Sequence, residues 1–231
     1  MFNAGIIASS NLAAAPTDPL FANVISLLHF QGADGSTTFT DEIGNVWTAA
    51  GNAQIDTANF KWGNSSGWFQ LTTDWIETPD SATLRFGTDA FCVEGWFAPD
   101  SAGTKNVYVK GINTTGGISL YVSTSELRFR CNGTSDIVHN PSLTPDEFVH
   151  VAFTRSGSTR TIYLNGISVA TDNGAGINMD DTSTVYLGSC FPSNSLFRYT
   201  GWIGDFRITK GNVRYTGNFT PENYPFPNSG P

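Results

Sequence analysis

An all-β chain folded as a two-sheet antiparallel sandwich or barrel is what this sequence predicts, and three observations predict it. Only 14% of the 231 residues are charged, against roughly a quarter in average globular proteins. Thr, Ser, Asn, Gly and aromatics take the place of Lys, Glu and Leu, a balance that favours strands joined by polar turns. Short apolar runs with two-residue alternation recur between Gly, Asn and Ser, and no amphipathic helix of three turns interrupts them. Seventeen Phe, seven Tyr and six Trp supply the apolar surface of a sandwich core. All-β sandwiches of this length are commonly one domain.

In chain order, residues 1–20 contain Ala, Asn and Pro with weak periodicity and read as an extended N-terminal arm. The arm lacks the cationic start of a signal peptide, and no run is long enough to span a membrane. "VISLLHF" (24–30) reads as the first strand and runs into the turn-rich "QGADGST"; "WTAAGNAQID" and "SGWFQLTTDWIETP" supply further short strands. "AFCVEGWFAP" (90–99) is apolar on both parities, as a central strand covered on each face must be. "KNVYVKGI", "GISLYVS", "ELRFRCN" and "FVHVAFTR" follow. In the last, Val149, Val151 and Phe153 share one face, with His150, Ala152 and Thr154 on the other.

"TIYLNGISVAT" (161–171) carries the strongest hairpin signal, because Asn165-Gly166 tolerates the positive φ of both turn positions. A two-residue turn sets Leu164 against Ile167, Tyr163 against Ser168 and Ile162 against Val169, with the four aliphatics on one side. "STVYLGSC" and "GWIGDFRITKG" are the closing strands. In the latter, Trp202, Gly204, Phe206 and Ile208 take one face and Asp205, Arg207 and Thr209 the other. The end, "TPENYPFPNSGP", holds four prolines and cannot sustain central pairing; it reads as a strap or tail. The organisation expected is an arm (1–20), a sandwich (21–220) and a Pro-rich tail (221–231).

The net charge is −8, and no Lys or Arg precedes Lys61. A basic patch for nucleic acid or an anionic membrane is therefore not expected. Cys92, Cys131 and Cys190 lie far apart without zinc spacing and read as buried, reduced thiols. Nothing resembles a catalytic set. There is no E-x-D-x-E run, Asp74 and Glu77 fall on opposite faces of a strand, and Glu94 stands alone as a hydrogen-bonded structural carboxylate. "GNSSG" (63–67) fits G-x-S-x-G in letters, yet a strand-like run follows where a nucleophile elbow needs a helix. His29, His139 and His150 have no helical pair or acidic partner motif.

Two ligand chemistries remain. Calcium is the candidate cofactor, with Asp34 and Asp41 flanking one turn and Asp172, Asp180 and Asp181 in or beside another loop. Ordinary turn chemistry accounts for the same residues. A glycan-stacking platform is the second, from Trp47, Trp62, Trp68 and Trp75, clustered in one third of the chain; core packing is the competing role.

"EFVHVAFTRSGSTRTIYLNGISVATD" resembles the concanavalin A-like/laminin G-like family in the form found in bacteriophage virion proteins. Phe148, His150, Val151, Ala152, Arg155, Tyr163, Asn165 and Gly166 carry the likeness. "LLHFQGADGSTTFTDEIGNVW" and "VEGWFAP" are similar to the family's first and E-G-W strands, and "VYLGS" with "GWIGDFRITKGNVRYTGNFTPENYPFP" to its closing strand and tail. Two positions depart: Gln31 stands where Asp is common, and Gly204 where an acidic residue often precedes the Asp. The resemblance spans about residues 24–227 and implies a two-sheet jelly roll that binds sugars, proteins or calcium at a face or loop rim. It implies a non-enzymatic virion surface protein, a capsid decoration with host-surface polysaccharide as a candidate partner. The N-terminal arm is expected to dock on other virion proteins. A tail fibre or adhesin, a secreted carbohydrate-binding lectin and a glycoside hydrolase are the alternatives. A homo-oligomer is compatible with surface display, though no sequence feature shows one.

Overall fold

The computed structural model describes residues 16–71, 73–133, 135–173, 177–189 and 197–231. Among these, sixteen strands form. The first eight are β1 (Val24–Leu28), β2 (Thr38–Thr40), β3 (Val46–Ala50), β4 (Gln54–Asp56), β5 (Ser66–Phe69), β6 (Trp75–Thr78), β7 (Phe91–Pro99) and β8 (Asn106–Lys110). The second eight are β9 (Ile118–Val122), β10 (Leu127–Cys131), β11 (Ser135–His139), β12 (Val149–Ser156), β13 (Thr159–Leu164), β14 (Ile167–Asn173), β15 (Val185–Leu187) and β16 (Gly201–Lys210). Single turns of 3-10 helix at Phe21–Asn23 and Ala82–Leu84 are the helical pieces described.

Two eight-stranded antiparallel sheets result, so the all-β sandwich read from the sequence is the fold. Sheet A runs β14-β13-β12-β7-β16-β5-β4, with β1 also paired to β16; sheet B runs β11-β10-β9-β8-β15-β6-β3-β2. Their inner faces close on one apolar core. Phe91, Val93, Phe97, Val151, Phe153 and Phe206 come from sheet A, and Ile76, Leu120, Phe129 and Leu187 from sheet B. All nine residues of β7 are buried, because this strand lies between β12 and β16 and is covered on both faces. Its odd positions enter the core. Its even positions, Cys92, Glu94, Trp96 and Ala98, form a second buried layer on the outside of sheet A.

That outer layer is covered by the chain ends. Phe226 packs with Val24, Leu27 and Trp96, while Tyr215 and Phe219 pack on Cys92, Ala152 and Tyr163. The described part of the N-terminal arm joins them: the Asp18 N–H donates to the Ser229 carbonyl at 2.8 Å. Residues 1–15 and Cys190 lie outside the described residues, whereas Cys92 and Cys131 are buried and unbridged.

Two β-bulges correct the expected register. In the hairpin, Asn165 and Gly166 have φ of 48° and 79°, and Leu164 opposes Ile167 as expected. A bulge between Ile162 and Tyr163 then sets Ile162 against Ala170 and leaves Val169 as the extra residue. Ile167 stays exposed at the start of β14, the edge strand of sheet A. In β16 a second bulge between Ile203 and Asp205 shifts the parity. Ile203 joins Phe206 and Ile208 in the core, and Trp202 turns outward, against the face assignment made by simple alternation.

Candidate functional site

The outer face of sheet A carries a buried network of charged side chains. Glu94 on β7 opposes Arg207 on β16, and Arg207 Nε donates to Glu94 Oε1 at 2.9 Å. Tyr215 OH donates to Glu94 Oε2 at 2.7 Å, and His150 Nε2 lies 3.2 Å from the same oxygen. Arg207 also pairs with Asp18 at 3.1 Å, and Arg214 donates to both Asp18 oxygens at 3.0 and 2.8 Å. Burial works against a charge on Glu94, yet Arg207, His150 and Arg214 hold its carboxyl far below the ordinary range. A carboxylate so saturated is a structural anchor and a poor proton donor. The lone strand carboxylate thus has the structural surroundings expected of it.

Beside this network a cleft of about 430 Å³ opens between the end of β1, the loop before β5 and the C-terminal segment. His29 directly follows β1, Asp205 lies on β16, Trp62 comes from the loop, and Pro225, Phe226 and Asn228 from the segment. His29 Nδ1 donates to Asp205 Oδ1 at 2.6 Å, and its Nε2 meets Asn228 Oδ1. Asp205 Oδ2 accepts the Phe226 N–H at 2.8 Å. Burial opposes charge on His29, but the hydrogen bond and charge of Asp205 outweigh it and hold the imidazole above its ordinary value. Burial also raises the Asp205 carboxyl, against the pull of His29. The pair therefore holds its proton more tightly than a free imidazole does.

The two positions that depart from the family pattern shape this cleft. Gln31 braces the loop: its Nε2 donates to the carbonyls of His29 and Ser65, each at 3.1 Å, and its Oε1 accepts the Asn64 N–H. Gly204 leaves room for the loop to cross β16, since a Cβ there would stand 2.9 Å from the Lys61 Cβ. Lys61 then lies with its Nζ 4.1 Å from the Trp96 ring centroid and 5.1 Å from that of Trp62.

The four tryptophans read as one platform are dispersed. Trp47 is buried in the core and donates its Nε1 to Asp41. Trp75 lies on the outside of sheet B, where Arg198 stacks over it at 4.7 Å. Trp62 and Trp68 do share the outside of sheet A, each with a partner missed from sequence: Trp62 packs edge-on against Trp96 at 5.7 Å, and Trp68 stacks on Trp202 at 6.1 Å. Alternation along β7 could have placed Trp96 there; the bulge hid Trp202.

The five aspartates are not brought together, and among the described residues no three His, Cys, Asp or Glu side chains converge as metal ligands. Asp41 accepts from Ser26, Ile43, Asn45 and Trp47, which occupies both its oxygens. Asp172 pairs with Arg160, Asp34 accepts from Thr57, and Asp181 from Thr114 and Ser183. Asp180, beside Asp181, joins no cluster. These residues do not fit a calcium ion, which needs six to eight oxygens free to face it. The His29 partner was also missed, because Asp205 lies 176 residues further on and no local motif links them.

An aromatic-walled cleft on one face of a two-sheet antiparallel jelly roll defines the class by its fold: a concanavalin A-like β-sandwich. The chain belongs to the concanavalin A-like lectin/glucanases superfamily, whose family model matches residues 70–213. No curated protein sequence matches it. Among solved structures it is similar to domain 4 of AbnA, a GH43 extracellular arabinanase from Geobacillus stearothermophilus, in complex with arabinotriose. The TM-score is 0.59 at 19% identity over 82% of this chain and 93% of that one. It is similar as well to the binding domain of botulinum neurotoxin DC in complex with SialylT (TM-score 0.60, 15% identity, 82% and 48% covered). The binding domain of botulinum neurotoxin serotype D gives a TM-score of 0.63 at 13% identity, with 85% and 50% covered. The chain spans about half the length of these toxin binding domains. Likeness at this identity concerns the fold.

Proposed function

We propose that this chain is a non-catalytic carbohydrate-binding domain that engages glycan in the cleft between Trp62 and the C-terminal segment. The cleft carries the reading: it joins apolar walls, Trp62, the buried Phe226 and three prolines, to polar groups at its rim, Asn228 and Ser229, the mixture that suits the C–H faces and hydroxyls of a sugar. Glycosidic hydrolysis needs two carboxyl groups flanking the bond, and Asp205 is the one carboxylate among the cleft's lining residues. Solved structures of the same fold in complex with arabinotriose and SialylT support sugar as the ligand class. Calorimetry against bacterial surface polysaccharides tests the reading. Binding that Trp62→Ala weakens at least tenfold supports it; reducing-sugar release from the same panel would replace it with a hydrolase.

The setting we infer is the surface of a bacteriophage virion, as a capsid decoration contacting host polysaccharide. The order of the family-like segments along the chain supports this setting. Residues 1–15 then dock on another virion protein, while residues 16–20 stay with the sandwich through Asp18. Mass spectrometry of purified particles should find the chain. Removing residues 1–15 should leave a folded domain that no longer joins particles, and retained incorporation would refute the role of the arm.

A further inference from the structure

Most of the chain's twelve basic residues are already spoken for. Arg85 and Lys110 pair with Asp80, Arg128 and Arg130 with Asp136, Arg160 with Asp172, and Arg207 and Arg214 with Glu94 and Asp18. Arg155 is satisfied by the carbonyls of Gly87, Asp89 and Ile177. Lys61 differs. It is half-buried, its Nζ lies within 5.1 Å of two tryptophan rings, and among the described residues no carboxylate comes within ion-pairing distance. One of those rings, Trp62, is also a wall of the cleft. An ammonium beside this cleft, held by aromatic faces and without a carboxylate partner among the described residues, is an arrangement that an incoming anion completes.

We propose that the cleft selects sugars carrying a carboxylate, such as a uronic or sialic acid, and that Lys61 receives this group at the Trp62 rim. The proposal rests on the carbohydrate reading above and names the ligand class within it. Lys61 stands behind Trp62 rather than in the lining, and its flexible four-carbon stem gives the ammonium the reach to turn toward the rim. Burial draws its pKa down, a cost that an anionic ligand would reverse. The remaining lining favours a sugar acid over a bare anion. Phosphate recognition draws on several donors or a planar guanidinium fork, whereas this cleft offers one nearby ammonium and apolar walls that match a pyranose ring. The whole chain, at −8, repels acidic ligands at long range, so capture depends on this local cation and not on steering.

Matched acid and neutral sugars test the idea by calorimetry: sialyllactose against lactose, and oligogalacturonate against its methyl ester. The wild-type chain should bind the acid member of at least one pair tenfold or more tightly than its neutral twin, with the preference shrinking as salt is added. Lys61→Gln should stay folded, with a melting midpoint lowered by no more than the loss of its two ring contacts, keep the neutral affinity and erase the acid preference, while Trp62→Ala weakens both. Equal binding of acid and neutral twins, or a preference that survives Lys61→Gln, overturns the proposal and leaves the carbohydrate reading standing. No binding to any of the four overturns the proposal and leaves the carbohydrate reading to the polysaccharide panel.

Discussion

Gly166 shows how much a single backbone position decides here. Its φ of 79° belongs to the left-handed region, and a Cβ would stand 1.9 Å from the Phe219 carbonyl oxygen. The same close approach brings the Phe219 N–H to the Gly166 carbonyl at 2.9 Å, so the hairpin turn is also the docking point of the C-terminal segment. Gly166→Ala should therefore destabilise the protein by about 2 kcal/mol or more, read as a lowered melting midpoint. An unchanged midpoint would show that the segment does not dock there. Arg207 is decisive in a different way. Its guanidinium holds two buried carboxylates, Glu94 and Asp18, and Arg207→Met leaves their charges short of a partner. A loss of about 3–5 kcal/mol is expected in urea unfolding; a near-neutral result would show that water reaches the network. The sequence showed that Asn165-Gly166 is a turn, from local chemistry alone. It could not show that Asp205 waits for His29 or that Asp41 would consume its oxygens on its own turn, since those partners are fixed by the fold.

The C-terminal segment is the element on which the cleft depends. Residues 225–229 line it, and they are fastened by the Phe226 N–H on Asp205, by Asn228 on His29 and by Ser229 on Asp18. His29 is the titrating member of this fastening. The charged groups acting on it are Asp205 and Glu42, with Arg207 acting in turn on Asp205. Its pKa is raised in the folded protein, so its stabilising contribution is complete below the unfolded value of about 6.5 and is lost as pH rises through the folded one. Hydrogen-exchange protection of the Phe226 amide should fall as pH climbs through that range, and His29→Gln should flatten the profile. Protection independent of pH in the wild type would separate the imidazole from the segment. Alternation placed the strands well because half-buried sheets impose it. It failed at Val169 and Gly204, where one extra residue changes which face the chain presents, and simple period-two reading contains no term for a bulge.

At the scale of the whole molecule, two aromatic layers are stacked: the core between the sheets, and a second layer of charge and rings on the outside of sheet A. The first was legible in the sequence, because seventeen phenylalanines in alternating runs leave few other ways to bury them. The second was legible only in part: "AFCVEGWFAP" reads as a strand covered on each face, and so it is, but no local pattern shows that the chain ends supply the outer cover. That buried charge makes the protein acid-sensitive. Glu94 and Asp18 are held below their ordinary values against burial, and Asp80 is drawn down to about 2, first by its hydrogen bond to Arg85. Groups with depressed pKa stabilise above their unfolded values, and that contribution is lost as pH falls through the folded ones. The melting midpoint should thus decline steadily below about pH 5; a midpoint constant down to about pH 3 would mean these pairs add little.

Where sugar binds decides whether the cleft beside Trp62 is the site. A crystal structure of the chain soaked with the tightest-binding oligosaccharide of the panel is the most direct measurement. Density for a sugar ring between Trp62 and the C-terminal segment, within reach of Asn228, is the expected result. A sugar seated on sheet B with that cleft empty would contradict it.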